Sequence, residues 1–333
     1  MELLKELVMA VSPSGRENNI REIIKKELND YCDEIYIDAL GNLICHKKGN
    51  GKKLMLTAHM DEIGFMVNYI DENGFLRFST IGGVPKYNVI NSTVEFTNGT
   101  KGKISYENKE NPSTVSFEKM YIDIGASSKE EAEKYVSIGD MASYSGNFEL
   151  IGKRIMGKAL DDRAGCWALI RAMKRVSDTV NDVYAVFTAQ EEVGLRGAKT
   201  SAHHINPDMA IAIDVSNVGD TPESLELNLK LGKGPAIKIK DASFIIHESV
   251  KAILTDSAKK ATIPYQIEAA SYGGTDAGAI HLVGGGIPSG TISIPTRYIH
   301  SANEVIDKQD LENTVVLLCK LLNISVKNYI FNK

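Results

Sequence analysis

The chain is poor in cysteine, and its four cysteines are spread widely over 333 residues. Cys32, Cys45, Cys166 and Cys319 form no Cys-x-x-Cys pair, the spacing that structural zinc sites and redox-active dithiols commonly use. Disulfides are rare in the cytosol, where thiols stay reduced. We therefore expect reduced thiols in a cytoplasmic protein.

Long apolar runs and basic clusters are also missing. No run reaches the roughly 18 to 20 apolar residues that a membrane-spanning helix needs. The first residues, MELLKELVMAVSPSGREN, lack the basic start and small-residue cleavage site of a signal peptide. The formal net charge is −5, without a block of lysine and arginine. These absences argue against a membrane or a nucleic acid as partner.

The composition that remains is that of a folded protein with a sizeable core. Hydrophobic residues make up 43% of the chain and charged residues 24%, which is ordinary for globular proteins. The length suits a large domain accompanied by a smaller one.

Short apolar strands alternate with amphipathic helices over much of the chain. KKLMLTA, VYAVFTA and MAIAIDV, ending at Ala58, Ala189 and Val215, have the compact apolar character of buried strands. Apolar residues at helical spacing follow Ser14, which we interpret as a helix cap. A second set of such residues follows Asp162. Two more helices are predicted over Glu248–Ala261 and Asp310–Val326. The pattern predicts an α/β fold, a mixed sheet with helices on both faces (α/β/α).

The segment from about Phe65 to Gly152 has a different pattern. Turn sequences such as DENG, TNGTKG and YSGN separate short runs such as GFLRFSTI and GKISY. Hairpin signals at this density indicate a small all-β unit. We predict a barrel-like domain at 66–152, inserted into a main domain made of 1–65 and 153–333.

Polar residues of the kinds that bind metals follow several of the predicted strands. His59 follows KKLMLTA, Glu191 and Glu192 follow VYAVFTA, and Asp214 ends MAIAID. In open α/β sheets, ligands bind beyond the carboxyl ends of the strands. Two further candidates complete the set: Asp161, at a predicted helix start, and His300, after the apolar segment TISIPTRYI.

Two imidazoles and three carboxylates suit a pair of divalent cations. A carboxylate can span ions about 3.5 to 4 Å apart, and such a pair activates a bridging water and polarises a carbonyl. A further carboxylate can then move the proton. Asp61 suits the task of holding the second nitrogen of His59. The residues alone do not choose between Asp161 and Asp162, or between Glu191 and Glu192.

Each candidate ligand, taken alone, is also compatible with a purely structural role. The histidine and aspartate of AHMD are compatible with an ordinary turn, and the acidic pair of ALDD with a helix N-cap. The two glutamates of AQEE are compatible with a solvated turn. The metal hypothesis therefore depends on all five candidates occurring together at strand ends and helix starts.

The motifs resemble, in order, those of the M42 metallopeptidases. They are AHMDEIGF, GKALDDRAGC, AQEEVGLRGAK, IDVS, GKGPAI, IPYQ, YGGTDAGAI and IPTRYIHSANE. The resemblance runs from about Leu4 to Asp310 and is looser in the β unit, where IGGVPKYN departs from the tryptophan-containing form of many relatives. Members include glutamyl, leucyl and lysyl aminopeptidases, and some carry the label endoglucanase or cellulase.

The resemblance implies a role for each candidate. Asp161 would bridge two zinc or cobalt ions, His59 and Asp214 would complete one site, and Glu192 and His300 would complete the other. Glu191 would be the general base. Asp61 would orient His59.

The resemblance further implies removal of N-terminal residues from short peptides by a homo-oligomer, from a dimer to a dodecameric shell. The β unit would serve oligomerisation or substrate access. Two alternatives remain at this stage. One is a glycosidase that uses Asp161 and Glu191 as its carboxylate pair, and the other is a non-catalytic metal-binding scaffold.

Overall fold

A computed structural model describes residues 1–224 and 227–330. Within these ranges, none of the helices has both the length and the apolar character needed to cross a membrane. The α-helices are α1 (Glu2–Met9), α2 (Asn18–Leu28), α3 (Lys86–Val89), α4 (Lys129–Ala132), α5 (Leu160–Arg175), α6 (Arg196–Ile205), α7 (Glu248–Ala261), α8 (Asp276–Ile280) and α9 (Lys308–Leu322). Short 3₁₀ turns occur at Phe117–Lys119 and Val326–Asn328.

The strands form a large mixed sheet and a separate closed barrel. In chain order they are β1 (Glu34–Ile37), β2 (Leu43–Lys47), β3 (Lys53–His59), β4 (Gly64–Ile70), β5 (Leu76–Ile81), β6 (Thr93–Phe96), β7 (Lys101–Tyr106), β8 (Met120–Asp123), β9 (Met141–Tyr144), β10 (Phe148–Ile151), β11 (Arg154–Gly157), β12 (Asp182–Thr188), β13 (Met209–Asn217), β14 (Ala236–Lys240), β15 (Gln266–Ala269), β16 (Ser289–Arg297) and β17 (Glu304–Asp307).

The centre of the large sheet is parallel. Its main path runs β1-β2-β12-β3-β13-β16-β17-β11-β10, with β14 beside β16 and β15 beside β14. The strands β12, β3, β13 and β16 are mutually parallel. The register sets Thr188 opposite His59 and Asp214 opposite Ser293. Because these strands run in one direction, their carboxyl ends meet at one edge of the sheet.

Helices cover both faces of this sheet. Side chains of a strand point alternately to opposite faces, and β3 follows this rule: Leu54 and Leu56 join the larger hydrophobic core, whereas Met55 joins a smaller one. The larger core also takes in α1, α2, α5, α7 and α9, and the smaller core takes in α6 and α8. The predicted α/β/α architecture is confirmed.

The barrel closes in the order β4-β5-β8-β7-β6-β9 and has a hydrophobic core of its own. The ring of Phe65 packs edge-on against the rings of Phe78 and Tyr144, with centroids 5.2 and 5.4 Å apart. Such contacts favour a unique packing. The predicted barrel is confirmed, and its strands run from Gly64 to Tyr144.

Two details of the predicted helices were wrong, and one helix had no prediction. Ser14 does not cap α2, because the capping position belongs to Glu17 and the Ser14 hydroxyl instead donates to Asp61 Oδ2 at 2.6 Å. The helix α1 was not predicted, although its buried Leu4, Leu7 and Val8 have helical spacing. The last helix ends at Leu322 rather than continuing to Val326.

Candidate metal centre

All five predicted ligands gather at the carboxyl edge of the parallel strands. His59 ends β3, Asp214 lies in β13 three residues before its end, and Asp161 lies at the start of α5. Glu192 follows β12, and His300 follows β16. Donor atoms of His59, Asp161 and Asp214 lie within 4.8 Å of one another, and those of Asp161, Glu192 and His300 form a second such group.

Asp161 is shared by both groups, and it directs one oxygen to each. Its Oδ1 lies 2.9 Å from His59 Nε2, and its Oδ2 lies 3.3 Å from His300 Nε2. His59 Nε2 is also 3.9 Å from Asp214 Oδ1, and His300 Nε2 is 3.2 Å from Glu192 Oε2. This is the arrangement that a bridging carboxylate requires.

The neighbouring Asp162 has a different set of partners. Its Oδ2 accepts from the backbone N–H of His59 at 3.2 Å, and its Oδ1 accepts from that of Gly165 at 3.0 Å. Asp162 therefore ties the end of β3 to the first turn of α5. Of the two adjacent carboxylates, only Asp161 belongs to the ligand groups found among the described residues.

Both imidazoles use Nδ1 for main-chain carbonyls. His59 Nδ1 lies 3.1 Å from the carbonyl oxygen of Asp61, and His300 Nδ1 lies 2.7 Å from that of Gly83. A carbonyl only accepts, so Nδ1 carries a proton in both rings. A metal would take the place of the Nε2 proton that faces Asp161. The ring orientations thus suit ligation.

The carboxylate of Asp61 holds the turn after β12. Its Oδ1 accepts from the N–H of Glu191 at 3.0 Å, and its Oδ2 accepts from the N–H of Glu192 at 3.2 Å. Oδ1 is 3.6 Å from His59 Nδ1, so the nearer contact of the imidazole is the Asp61 carbonyl. The preceding residue, Gln190, has a φ of 57°, a strained value for a side-chain-bearing residue. Its N–H is bound by Glu17 Oε1 at 3.2 Å.

The barrel contributes to the site through the loop after β5. Besides the Gly83 carbonyl, Asn88 of α3 donates its Nδ2 to the carbonyl of His300 at 3.0 Å. His300 itself has a φ of 62°, a conformation that needs support from its surroundings. Contacts from the barrel therefore fix both the ring and the backbone of this residue.

The site has a surplus of buried negative charge. Burial raises the pKa of Asp214 to about 8, with Asp161 adding to the rise and with His59 and Lys238 opposing it. Burial also raises the pKa of Glu191 and of Glu192. Asp161 is the exception, because hydrogen bonds from His300 and His59 outweigh the effect of burial and lower its pKa. Divalent cations would offset this charge, so the residues present fit a metal pair in donor type, placement and electrostatics.

Glu191 belongs to neither ligand group, yet it lines the same cavity as the ligands. It is only 9% exposed. Its pKa is raised first by burial and further by Asp214 and Glu192, against the opposing effect of His59. A carboxylate beside the ligands, free of a ligand's task, is placed to exchange a proton with a bound reactant.

Glu304 is a supporting residue that the sequence did not reveal. It is 2% exposed, and it accepts two backbone N–H bonds, from Asp161 to Oε2 at 2.8 Å and from His300 to Oε1 at 2.9 Å. One carboxylate thus positions the shared ligand and a ligand of the second group. No local sequence pattern indicates this role, because both partners are backbone N–H groups and Asp161 lies 143 residues away in the chain.

Glu304→Gln tests this positioning role. The amide NH₂ cannot accept a hydrogen bond, so either Asp161 or His300 loses its backbone partner. We expect divalent-cation affinity to fall by about 10- to 100-fold, the usual effect of changing such outer partners. Competition with a chromophoric chelator measures it, and Glu133→Gln, at an exposed position of the barrel, is the control. Equal affinities in the two variants would contradict the role.

Residues 41–317 match the M42 glutamyl aminopeptidase family. A relative from Acetivibrio thermocellus, which carries a provisional aminopeptidase name, is 53% identical, with 96% of this chain and 98% of the relative covered. The lysyl aminopeptidase of Pyrococcus furiosus is 35% identical, with 96% of each chain covered.

Solved structures with the same fold include several enzymes. An aminopeptidase from the archaeon Desulfurococcus kamchatkensis has a TM-score of 0.95 at 39% identity, covering 100% of this chain and 97% of its own. The TET1 peptidase of Pyrococcus horikoshii, described as assembling into a tetrahedron or a large octahedral shell, has a TM-score of 0.89 at 35% identity, covering 97% and 98%. A Thermotoga maritima protein named endoglucanase has a TM-score of 0.83 at 38% identity, covering 98% and 97%.

Proposed function

The chain belongs to the M42 glutamyl aminopeptidase family, and from this premise we propose that it is a dinuclear metallo-aminopeptidase acting on short peptides. It is a peptidase by family, and members of that family depend on metal. The proposal concerns three further points: the number of metal ions, the residues that bind them and the catalytic step. Zinc or cobalt is the expected metal, because imidazole and carboxylate donors suit both.

The observation that carries the proposal is the shared carboxylate of Asp161. Its two oxygens face two different imidazoles, at 2.9 and 3.3 Å. We assign His59 and Asp214 to one ion, Glu192 and His300 to the other, and Asp161 to both. When bound, such a pair of cations lowers the pKa of water and polarises a peptide carbonyl.

Glu191 is the proposed general base. Its buried carboxylate would accept the proton of the attacking water and pass it to the leaving amine. Burial supports this role, because it raises the pKa of Glu191 and so favours its holding a proton between the two transfers. Asp61 is proposed as a positioning residue, since its carboxylate holds the N–H groups of Glu191 and Glu192.

The two alternatives are less favoured. A glycosidase would use two carboxylates flanking a sugar bond, and the paired imidazoles around Asp161 would have no task in that chemistry. A non-catalytic scaffold would have no use for Glu191, which lies beside the ligands in the cavity without joining either group.

The proposed function predicts release of the first amino acid from a peptide whose amino group is free. Purified protein supplied with zinc or cobalt should hydrolyse an unblocked tetrapeptide and leave the N-acetylated form of that peptide intact. Amino-acid analysis over time measures the release. Cleavage of cellodextrins without any peptide hydrolysis would favour the glucanase, and no turnover of either substrate would favour the scaffold.

We also propose that the inserted unit, whose barrel strands run from Gly64 to Tyr144, serves assembly or substrate access in a homo-oligomer. The barrel carries large exposed side chains, among them Tyr69, Tyr135 and Ile138, which are 50, 56 and 65% exposed. Exposed apolar groups of this size are common at interfaces, and a peptidase of the same fold is described as assembling into a tetrahedron or a large octahedral shell. Light scattering coupled to gel filtration should give a dimer or a larger multiple, and a monomer at micromolar concentration would contradict assembly.

Cytoplasmic placement is a further part of the proposal. It is supported by the cysteines, all four of which are free, as expected where thiols are kept reduced. Fractionation of the source cells with an antibody against the protein would test it, and recovery outside the cytoplasm would contradict it.

A further inference from the structure

The cavity beside the candidate ligands has two walls of different character. Its volume is about 700 Å³, which is room for the residues on both sides of a scissile bond. The wall next to Asp214 includes Lys238, Glu268 and Ala270, which are only 5, 7 and 8% exposed. Because these residues are packed into the protein, a peptide chain cannot leave the cavity through this wall.

The wall next to His300, a ligand of the other group, is open and aromatic. Beyond the ligands and Gly83, its members share the absence of charge; they are Pro85, Tyr87, Asn88, Tyr298 and Ile299. Tyr87 is 81% exposed and Tyr298 is 55% exposed. We call these two tyrosines the aromatic rim, because they lie where the cavity opens to solvent.

Hydrogen bonds hold the two halves of the aromatic rim together. Tyr87 precedes Asn88, whose Nδ2 donates to the carbonyl of His300 at 3.0 Å. Tyr298 lies two residues before His300, on the segment that receives this bond. The carbonyl of Gly83 binds the ring of the same histidine at 2.7 Å. The barrel thus supplies one tyrosine of the rim and the main domain supplies the other.

Neither tyrosine of the rim is placed as a folding residue would be. Tyr87 is the most exposed of the large apolar and aromatic side chains that the structure describes, so its ring adds little to the core of the barrel. Tyr298 has a φ of 63°, a costly conformation for a residue with a side chain, and such strain concentrates at ligand sites. Both rings are therefore available to a ligand.

We propose that the aromatic rim binds the second residue of the peptide and favours a large apolar or aromatic side chain there. This inference rests on the proposed aminopeptidase function, and it concerns the leaving side of the scissile bond. Since the wall next to Asp214 is closed, the first residue would occupy that end of the cavity. The rest of the peptide would then leave past His300 and the rim.

Ring contact and the lack of charge decide between side chains at the second position. A phenylalanine would bury apolar surface and make aromatic contacts with the rings of Tyr87 and Tyr298. A glutamate or lysine would lose water there without gaining a charged partner, because the described residues of this wall beyond the ligands are uncharged. An alanine is too small to cover either ring, and it is therefore the matched comparison for phenylalanine.

The test compares kcat/KM for four tripeptide amides that have phenylalanine, alanine, glutamate or lysine at the second position and glycine at the third. Their common first residue is the one released fastest from a panel of aminoacyl p-nitroanilides. We expect phenylalanine to exceed alanine by at least about fivefold, the effect of an aromatic contact, and to exceed both charged residues. Tyr87→Ala should lower the phenylalanine-to-alanine ratio by at least about threefold, whereas Tyr87→Phe, which keeps the ring, should preserve it.

Two other tyrosines serve as matched controls. Tyr272→Ala removes a ring from another part of the cavity wall, and Tyr69→Ala removes an exposed ring of the barrel outside the cavity. Both variants should keep the ratio of the parent. Bound metal and oligomeric size are measured for every variant, so that a loss of the site or of assembly is recognised.

The outcomes separate this inference from the proposed function. Equal turnover of the phenylalanine and alanine peptides by the parent, or an unchanged ratio in Tyr87→Ala, would overturn the inference and leave the aminopeptidase function in place. So would an equal fall in Tyr272→Ala, or a fall in Tyr87→Ala accompanied by loss of metal or a change in oligomeric size. Absence of turnover for all four peptides would overturn the proposed function and this inference with it.

Discussion

Glu191→Gln is expected to lower kcat for peptide hydrolysis by at least about 100-fold, the scale on which a general base contributes. The amide keeps the size of the side chain but cannot take up a proton. Because Glu191 belongs to neither ligand group, the variant should still bind two divalent cations. The rate is measured on an unblocked peptide, and the bound metal is counted by elemental analysis of the same sample.

The adjacent residue provides the matched contrast. Glu192→Gln changes a candidate ligand, whose Oε2 lies 3.2 Å from His300 Nε2, so this variant should lose metal as well as rate. Turnover by Glu191→Gln within a few-fold of the parent would remove Glu191 from the chemistry. Loss of metal in Glu191→Gln would instead move it into the ligand set.

Removal of metal is expected to abolish hydrolysis, and its return should restore it. Dialysis against a strong chelator should reduce the rate to background, since the cations would supply both the polarisation of the carbonyl and the activation of the water. Titration with zinc or cobalt then follows recovery of rate against equivalents added. Full activity in a preparation shown to be metal-free would contradict the proposed mechanism.

Two ligand variants test whether Asp161 is shared. Asp161→Asn should weaken binding at both sites, because each oxygen of the carboxylate faces a different group. His300→Ala should weaken only the site that it shares with Glu192, leaving about one ion per chain. His203→Ala, at an exposed position of α6, is the control. Equal metal contents in Asp161→Asn and the control would contradict a bridge.

The sequence predicted that the candidate ligands lie close together, because the carboxyl ends of parallel strands meet at one edge of an α/β sheet. Their binding of metal stays a prediction. His59, Glu192 and Asp214 follow apolar runs that the structure places side by side in the large sheet. The choice between adjacent acids required coordinates or a family resemblance. Asp162 is distinguished from Asp161 by its hydrogen bonds to the N–H groups of His59 and Gly165, and no spacing rule reveals those.

Supporting groups were less predictable, since their partners are distant in the chain or belong to the backbone. The carbonyl of Gly83 binds His300 across 217 residues, and a carbonyl carries no residue-specific signal. Ser14 was assigned to a helix end, a common role for serine, but tertiary contact with Asp61 prevailed. Lys238 lies in β14, whose sequence AIKIK contains no recognisable functional motif. Only the fold places this lysine in the cavity beside the candidate ligands.

The support of His300 by the barrel has a consequence for anyone who wishes to shorten this protein. The ring and the carbonyl of that histidine are held by hydrogen bonds with Gly83 and Asn88, so the small unit helps to shape the candidate metal centre. A main domain without the barrel would keep all five proposed ligands, but His300 would lose its hydrogen bonds with Gly83 and Asn88. A minimal version would need a substitute acceptor built in at that point.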